Sequence, residues 1–304
     1  MVTIDTAASK RRPRPHAHTR GYKVFRVVNV TVLILVMITM LYPFLMIVAQ
    51  SFSSDTAIRS GHVSIFPVGF NLTTYRLVMG DATFWTDYRN TVVYTAVATL
   101  IAIVLTTCYA YVISKKHLRG RGVMIGIAVF TMFFNGGLIP NYILITSIGF
   151  RNTIWAIVLP NAISVFNLLV MKSFFENLPL ELMEAAQIDG RNTYGILWYI
   201  VLPLSKAVLA TMVLFYAVSF WNSWFSAFLY MDKSELFPVT VYLRNLIAGA
   251  SSASSSGAGA SDVAQVSANI QSVTMVLTVL PILCIYPFVQ RYFVSGVMLG
   301  SVKG

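Results

Sequence analysis

Residues 172–190 read Lys172-Ser173-Phe174-Phe175-Glu176-Asn177-Leu178-Pro179-Leu180-Glu181-Leu182-Met183-Glu184-Ala185-Ala186-Gln187-Ile188-Asp189-Gly190. They form a charged island between apolar runs, with acids at Glu176, Glu181, Glu184 and Asp189. Pro179–Asp189 is predicted to be a helix of about three turns. Pro179 suits a first helical turn, where its missing N–H costs nothing. Glu181 and Glu184 then sit near the positive end of the helix. Ala185 and Ala186 are strong helix formers with almost no side chain, so another surface can approach them closely. Gly190 can take the left-handed conformation that ends a helix. Beyond it Tyr194–Val201 is apolar again, and Pro203 is predicted to bend the entry to the next apolar run. Spacing alone fits two readings, an ordinary interfacial loop helix or a part held by a partner outside the bilayer.

The flanks of the island set the class. Of 304 residues, 57% are hydrophobic and 11% charged, with mean hydropathy +0.71. Soluble domains carry about 25% charged residues. Too little polar surface remains to cover a water-soluble globule, so the chain is an all-α polytopic membrane protein. Six runs are long enough to span, near 27–50, 90–114, 122–147, 153–171, 207–231 and 269–290, and none holds Lys, Arg, Asp or Glu. The first lacks a small-residue cleavage site and is read as a retained helix. Cys108 and Cys284 fall in apolar runs and read as small buried hydrophobes with no redox or metal signal.

With six spans both termini share one side. That side holds 16 Lys and Arg against 6 on the other, counting Lys10–Arg26, Lys115–Arg121, Lys172, Arg191, Lys206, Arg291 and Lys303. The basic excess places it in the cytoplasm. The expected plan is a basic head over 1–26, a transmembrane domain over 27–292 with the island loop at 172–206, and a cytoplasmic tail over 293–304. The net charge of +11 therefore lies mostly at membrane edges and does not indicate nucleic acid. The head reads as a disordered topology signal able to touch anionic lipid.

Between spans, residues 51–89 mix aromatics with Pro67 and Gly69 and are expected to pack as a cap with an interfacial helix. Residues 248–261 form a Gly/Ala/Ser tract, read as a flexible loop. Asn90, Asn152 and Asn192 each follow an Arg and precede an apolar run, which makes them N-cap candidates.

Polar groups inside apolar runs must face protein or water. That argument makes Asn135, Asn167 and Asn222 candidates to line a pathway, with Tyr216, Trp221 and Trp224 supplying aromatic faces for sugar rings. Packing and helix–helix hydrogen bonding explain the same residues equally well. Gly136-Gly137 before Pro140 should break the third span. The chain has no G-x-x-x-x-G-K-[ST] loop, no H-E-x-x-H and no G-x-S-x-G, and none of its four His lies in a span. No catalytic or metal-binding set is expected, and an ion-driven carrier would lack intramembrane carboxylates.

The string EAAQIDGRNTYGILWYIVLPLS, residues 184–205, closely resembles the EAA loop of binding-protein-dependent ABC importer permeases. FFNGGLIPNY (133–142), NTIWAIVLPNAISVFNLLVM (152–171), LFYAVSFWNSWFSAFLY (214–230) and QRYFVSGVMLGSVKG (290–304) resemble the carbohydrate-uptake (maltose-type) branch, most of all the LplC/YtcP type. The tract at 248–261 departs from the pattern. The resemblance implies a type I importer permease fold in a bacterial inner membrane. It implies a second homologous permease, two ATPase subunits that bind ATP and Mg, and an extracytoplasmic sugar-binding protein. It makes Glu184, Ala185, Ala186, Asp189, Gly190 and Pro203 the ATPase-coupling residues. Related permeases carry other solutes, so a non-sugar cargo stays open, and an ion-driven secondary transporter is the more distant alternative.

Overall fold

A computed structural model describes residues 20–255 and 269–287. The basic head up to residue 19, the tract from residue 256 and the tail at 293–304 lie outside the described residues. Among the described residues the regular structure is all helical.

The first helix, α1 (Arg20–Ser51), is apolar beyond the basic residues Arg20, Lys23 and Arg26 of its first turns, and residues 21–45 are exposed in the isolated chain. At about 1.5 Å per residue it is long enough to cross a bilayer with turns to spare. Short helices α2 (Asp55–Arg59) and α3 (Thr73–Gly80) follow. Phe52 stacks between Phe70 and Tyr75, so the expected cap does pack. The Tyr75 hydroxyl donates to Ser51 Oγ at 2.9 Å and ties α3 to the end of α1.

The central post is α4 (Ala82–Ser114). Ala98, Ala102, Thr106 and Ala110 recur every fourth residue and are all fully buried. Such a small-residue stripe lets neighbouring backbones come close. Asn90 is not a cap. The helix starts earlier, at Ala82, where Asp81 Oδ1 accepts from Thr83 N at 2.8 Å. Asn90 instead lies buried in mid-helix and donates to the carbonyls of Glu235 and Phe237.

The third expected span is two helices, α5 (Arg121–Phe133) and α6 (Leu138–Ser147), bent by 115°. Gly137 supplies the turn at φ +92°, and Asn135 Oδ1 accepts from its N–H at 2.9 Å. The expected break is thus where Gly136-Gly137 placed it. The fourth expected span, 153–171, is not one helix. It splits into α7 (Trp155–Val158) and α8 (Val165–Glu176), with Pro160 in the gap and Ser164 capping α8. Pro160 has no N–H to continue a ladder. Asn152 does not cap either. It sits at φ +60°, and its amide bonds Asp232 on both sides, accepting from N at 2.7 Å and donating to Oδ2 at 3.0 Å.

After α9 (Leu180–Ile188) comes α10 (Thr193–Ile196), which runs through a π-helical turn at Leu197–Val201 into α11 (Leu202–Leu204). Asn192 does cap α10, accepting from Gly195 N at 2.8 Å. Next, α12 (Lys206–Trp221) leaves α11 at 84°. The bend falls at Ser205, two residues past Pro203. The fifth span ends at Trp221, sooner than expected, because Asn222 turns its amide back onto the Val218 carbonyl at 2.8 Å. Then come α13 (Phe225–Tyr230) and α14 (Val239–Ser255). The Gly/Ala/Ser tract was expected to be loop, yet α14 continues through Ser255. Its first turns are fixed by packing, with Val239 and Val241 fully buried, and propagation costs little once a helix is nucleated.

The last described helix, α15 (Asn269–Pro287), completes the set. Among the described residues, α1, α4 and α15 are long and apolar enough to cross a membrane, and five crossings result if each bent pair counts as one. Cys108 and Cys284 are exposed on their helices, not buried as expected. In a chain solvated by lipid an apolar residue need not turn inward, so the soluble-protein rule fails there.

Candidate functional site

The island forms a helix whose two sides face different things. Met183 and Ala186 are 8% and 6% exposed and join the core of Tyr111, Leu168, Met171, Phe175 and Ile196. Glu184, Ala185, Ile188 and Asp189 face out. The expected coupling set is thereby divided: Ala186 secures the helix to its own chain, and Glu184, Ala185 and Asp189 are offered to something else. Ile188 is 87% exposed and Tyr194 83%. These two large apolar side chains stand open on either side of Asp189 in sequence. Sequence reasoning fixed on the motif and missed Ile188. The signal was there, since Ile188 is two positions from Ala186 and must lie on another helix face.

Gly190 ends α9 as expected. It sits at φ +80°. Its N–H donates to the Gln187 carbonyl at 3.0 Å, and Arg191 N donates to the Ala186 carbonyl at 2.9 Å. This double closure satisfies the last carbonyls of the helix. Pro179 lies one place outside the helix, at the N-cap. Pro203 follows the π turn, whose looser ladder accommodates a residue without an N–H.

Around α9 the neighbouring ends are tied by charge. Lys115 Nζ reaches Met183 Sδ at 3.3 Å and lies 4.4 Å above the Tyr111 ring. Burial lowers the pKa of its amine. The Tyr111 hydroxyl donates to the Thr193 carbonyl at 3.3 Å. Glu176 binds Arg121 through Nη2 and Lys172 Nζ at 3.0 Å. Burial alone would raise its pKa, but Lys172 and Arg121 hold it below the usual glutamate value.

The six pathway candidates do not form one group. Asn167, Tyr216 and Trp221 are buried. The Tyr216 hydroxyl pairs with Thr106 Oγ1 at 2.6 Å and accepts from Ser164 N at 2.9 Å. It therefore satisfies the backbone freed by the break in the fourth expected span, a structural task. Trp221 spends its N–H on the Thr278 carbonyl at 3.1 Å and meets Tyr88 edge-on. Beside it a groove of 450 Å³ between α4, α12 and α15 has almost wholly apolar walls, with little to bind sugar hydroxyls. Asn135, Asn222 and Trp224 are exposed. Trp224 packs edge-on against Phe225, and the Arg244 guanidinium lies 3.9 Å above the Phe228 ring and 5.6 Å from that of Trp224. The sequence reading missed Arg244, whose partner rings lie more than a dozen residues upstream in another helix.

Among the described residues no group of three His, Cys, Asp or Glu could hold a metal ion.

Known proteins share this arrangement. The profile for a binding-protein-dependent transport system inner membrane component matches residues 122–299. Protein LplC of Bacillus subtilis is 38% identical over 94% of this chain and 97% of its own length. The polygalacturonan/rhamnogalacturonan transport system permease protein YtcP of the same organism is 37% identical over 86% of this chain and 92% of its own. A chain from the crystal structure of a bacterial ABC transporter involved in import of the acidic polysaccharide alginate superposes with TM-score 0.80 at 31% identity. It covers 93% of this chain and 100% of that one. The chain thus belongs to the family of inner membrane components of binding-protein-dependent transport systems, and is an ABC-type permease subunit that contributes to transport without catalysis of its own.

Proposed function

We propose that this chain is one of two permeases enclosing the pathway of an ATP-driven oligosaccharide importer in a bacterial inner membrane, with α9 as the part an ATPase subunit grips. The observation that carries this is the two-sided α9. One face is locked into the permease core by Met183 and Ala186, and the other presents Glu184, Ala185 and Ile188 to a partner. In this reading Glu184 and Asp189 pair with basic residues of the ATPase, Ile188 fills an apolar groove, and Gly190 and Pro203 set the angles at which α9 leaves and the next helix enters. The two ATPase subunits hold ATP and Mg. An extracytoplasmic binding protein delivers the sugar. In this reading the split α7–α8 segment is taken as a sixth crossing, so that both termini and α9 would lie in the cytoplasm.

Acidic oligosaccharides are the favoured cargo. Two of the similar proteins carry the names of acidic or pectic polysaccharides. Arg244 is held by two aromatic faces and has no carboxylate within ion-pair distance among the described residues. An arginine so placed offers its fork to a uronate carboxylate while the rings offer stacking.

The test is co-expression with the candidate partner permease and ATPase, comparing the native chain with Glu184→Lys and Gly190→Pro. The expected result is that the native chain retains the ATPase and that both variants release it or uncouple hydrolysis from uptake. If no ATPase associates with the native chain, the importer reading loses its mechanical basis.

A further inference from the structure

Three helices end together beside α9, and each end brings one piece of a charge cluster. Arg121 opens α5 and points back at α4, where its Nε donates to the Ile113 carbonyl at 2.8 Å. Ile113 lies in the last turn of α4, where carbonyls have no partner within the helix. The same guanidinium reaches Glu176, the last residue of α8, through Nη2. Lys172, one turn earlier in α8, closes on the other oxygen of Glu176 at 3.0 Å. One carboxylate thus meets two cations, and one of those cations also caps a third helix. The side chains are largely covered, with 16–28% of their surface exposed.

The cluster lies at the root of α9. Only Asn177, Leu178 and Pro179 separate Glu176 from the first residue of that helix, and Pro179 fixes its own φ at −56°. Through the chain itself, load on α9 enters α8 at Glu176. Beyond the cluster these helix ends meet mainly through apolar side chains such as Phe175, Met171 and Tyr111, with one further link from α4 to α5, the Tyr109 hydroxyl donating to the Met124 carbonyl at 2.9 Å. Apolar contact is non-directional and lets surfaces slide. Charge-assisted hydrogen bonds from a planar guanidinium fix both distance and angle.

We propose that Glu176, Arg121 and Lys172 are a clasp that turns a displacement of α9 into a joint displacement of α4, α5 and α8. This rests on α9 being the ATPase contact proposed above. The three are positioning residues: they touch neither cargo nor nucleotide. Lys115, seated on Met183 and the Tyr111 ring, steadies the same helix from the α4–α5 loop.

The test has two arms. In the first, the full importer is reconstituted in vesicles with its binding protein, and uptake per ATP hydrolysed is compared for the native chain, Glu176→Gln and Lys172→Met. Glu176→Gln should keep the ATPase bound but lower that ratio about fivefold or more, the usual size of one coupling step. Lys172→Met leaves the Arg121–Glu176 bridge and should lower it less. In the second, amide exchange is followed in the native and Glu176→Gln chains, each alone in nanodiscs. Exchange should rise at 121–124 and 180–188 and stay unchanged in α3. An unaltered ratio in Glu176→Gln overturns the proposal. So does a uniform rise in exchange with lost assembly, which marks a merely structural bridge. If Glu176→Gln does not accumulate, Lys172→Met carries both arms with a smaller expected drop, and an unaltered ratio in it overturns the proposal. If the native complex fails to couple uptake to hydrolysis, the proposed function falls, and the exchange arm still decides whether the clasp fastens α9.

Discussion

Single atoms decide several features of this chain. The Tyr216 hydroxyl serves two groups at once, Thr106 Oγ1 and Ser164 N, and so allows the fourth expected span to break inside the protein. Tyr216→Phe keeps the ring and removes both bonds. It should cost about 1–3 kcal/mol, the penalty for leaving a buried donor unpaired, read as a lower unfolding temperature in detergent with assembly intact. Gly190 at φ +80° is the second such point. A Cβ there meets no neighbour, so Gly190→Ala isolates backbone strain, about 1–2 kcal/mol. The expected outcome is a frayed α9 and weaker ATPase retention, measured by co-purification at rising salt. Gly190 was legible in the sequence because only one residue type suits that turn. The role of Tyr216 was not, since a hydroxyl in an apolar run looks the same whether it faces cargo or a broken helix.

At the scale of elements, the two faces of α9 predict opposite outcomes for neighbouring substitutions. Ile188→Asp should leave the fold unchanged and abolish ATPase binding. Ala186→Asp should bury a charge beside Phe175 and Tyr111 and unfold the chain before binding can be asked. Thermal unfolding alongside pull-down separates the two. The stripe on α4 makes a different prediction. Ala102→Leu adds bulk where α4 meets Tyr216 and Val158, and should cost about 1–3 kcal/mol by overpacking. The clasp on α8 adds a dependence on pH. Glu176 has a folded pKa held below its ordinary 4.5, so the bridge stabilises at neutral pH and is lost as pH falls through that lower value. The stability gap between native chain and Glu176→Gln should therefore close in acid. The island and the Gly136-Gly137 break were readable because Pro, Gly and charge punctuate locally. Helix faces were not, because apolar residues ring these helices and give no amphipathic stripe to orient them.

For the whole molecule, composition made the class plain: a chain with 11% charge cannot coat itself against water. Span number was harder to read. The six runs have the right lengths, yet one bends, one splits and one stops short at Trp221, because a membrane protein can satisfy interrupted backbone with its own side chains. Counting apolar residues measures solubility in lipid, not continuity of a helix. Among the described residues, α1 is exposed along 21–45, and its C-terminal end is fastened by Tyr75, Asn269 and Ser272. The Asn269 bond, Nδ2 to the Ser53 carbonyl at 2.9 Å, closes over 216 residues. Of the described helices α1 leaves the ribosome first, yet two of these three fastenings come from α15. Until α15 follows, Tyr75 alone of the three holds that end, and a product interrupted before α15 is left with α1 moored at a single point.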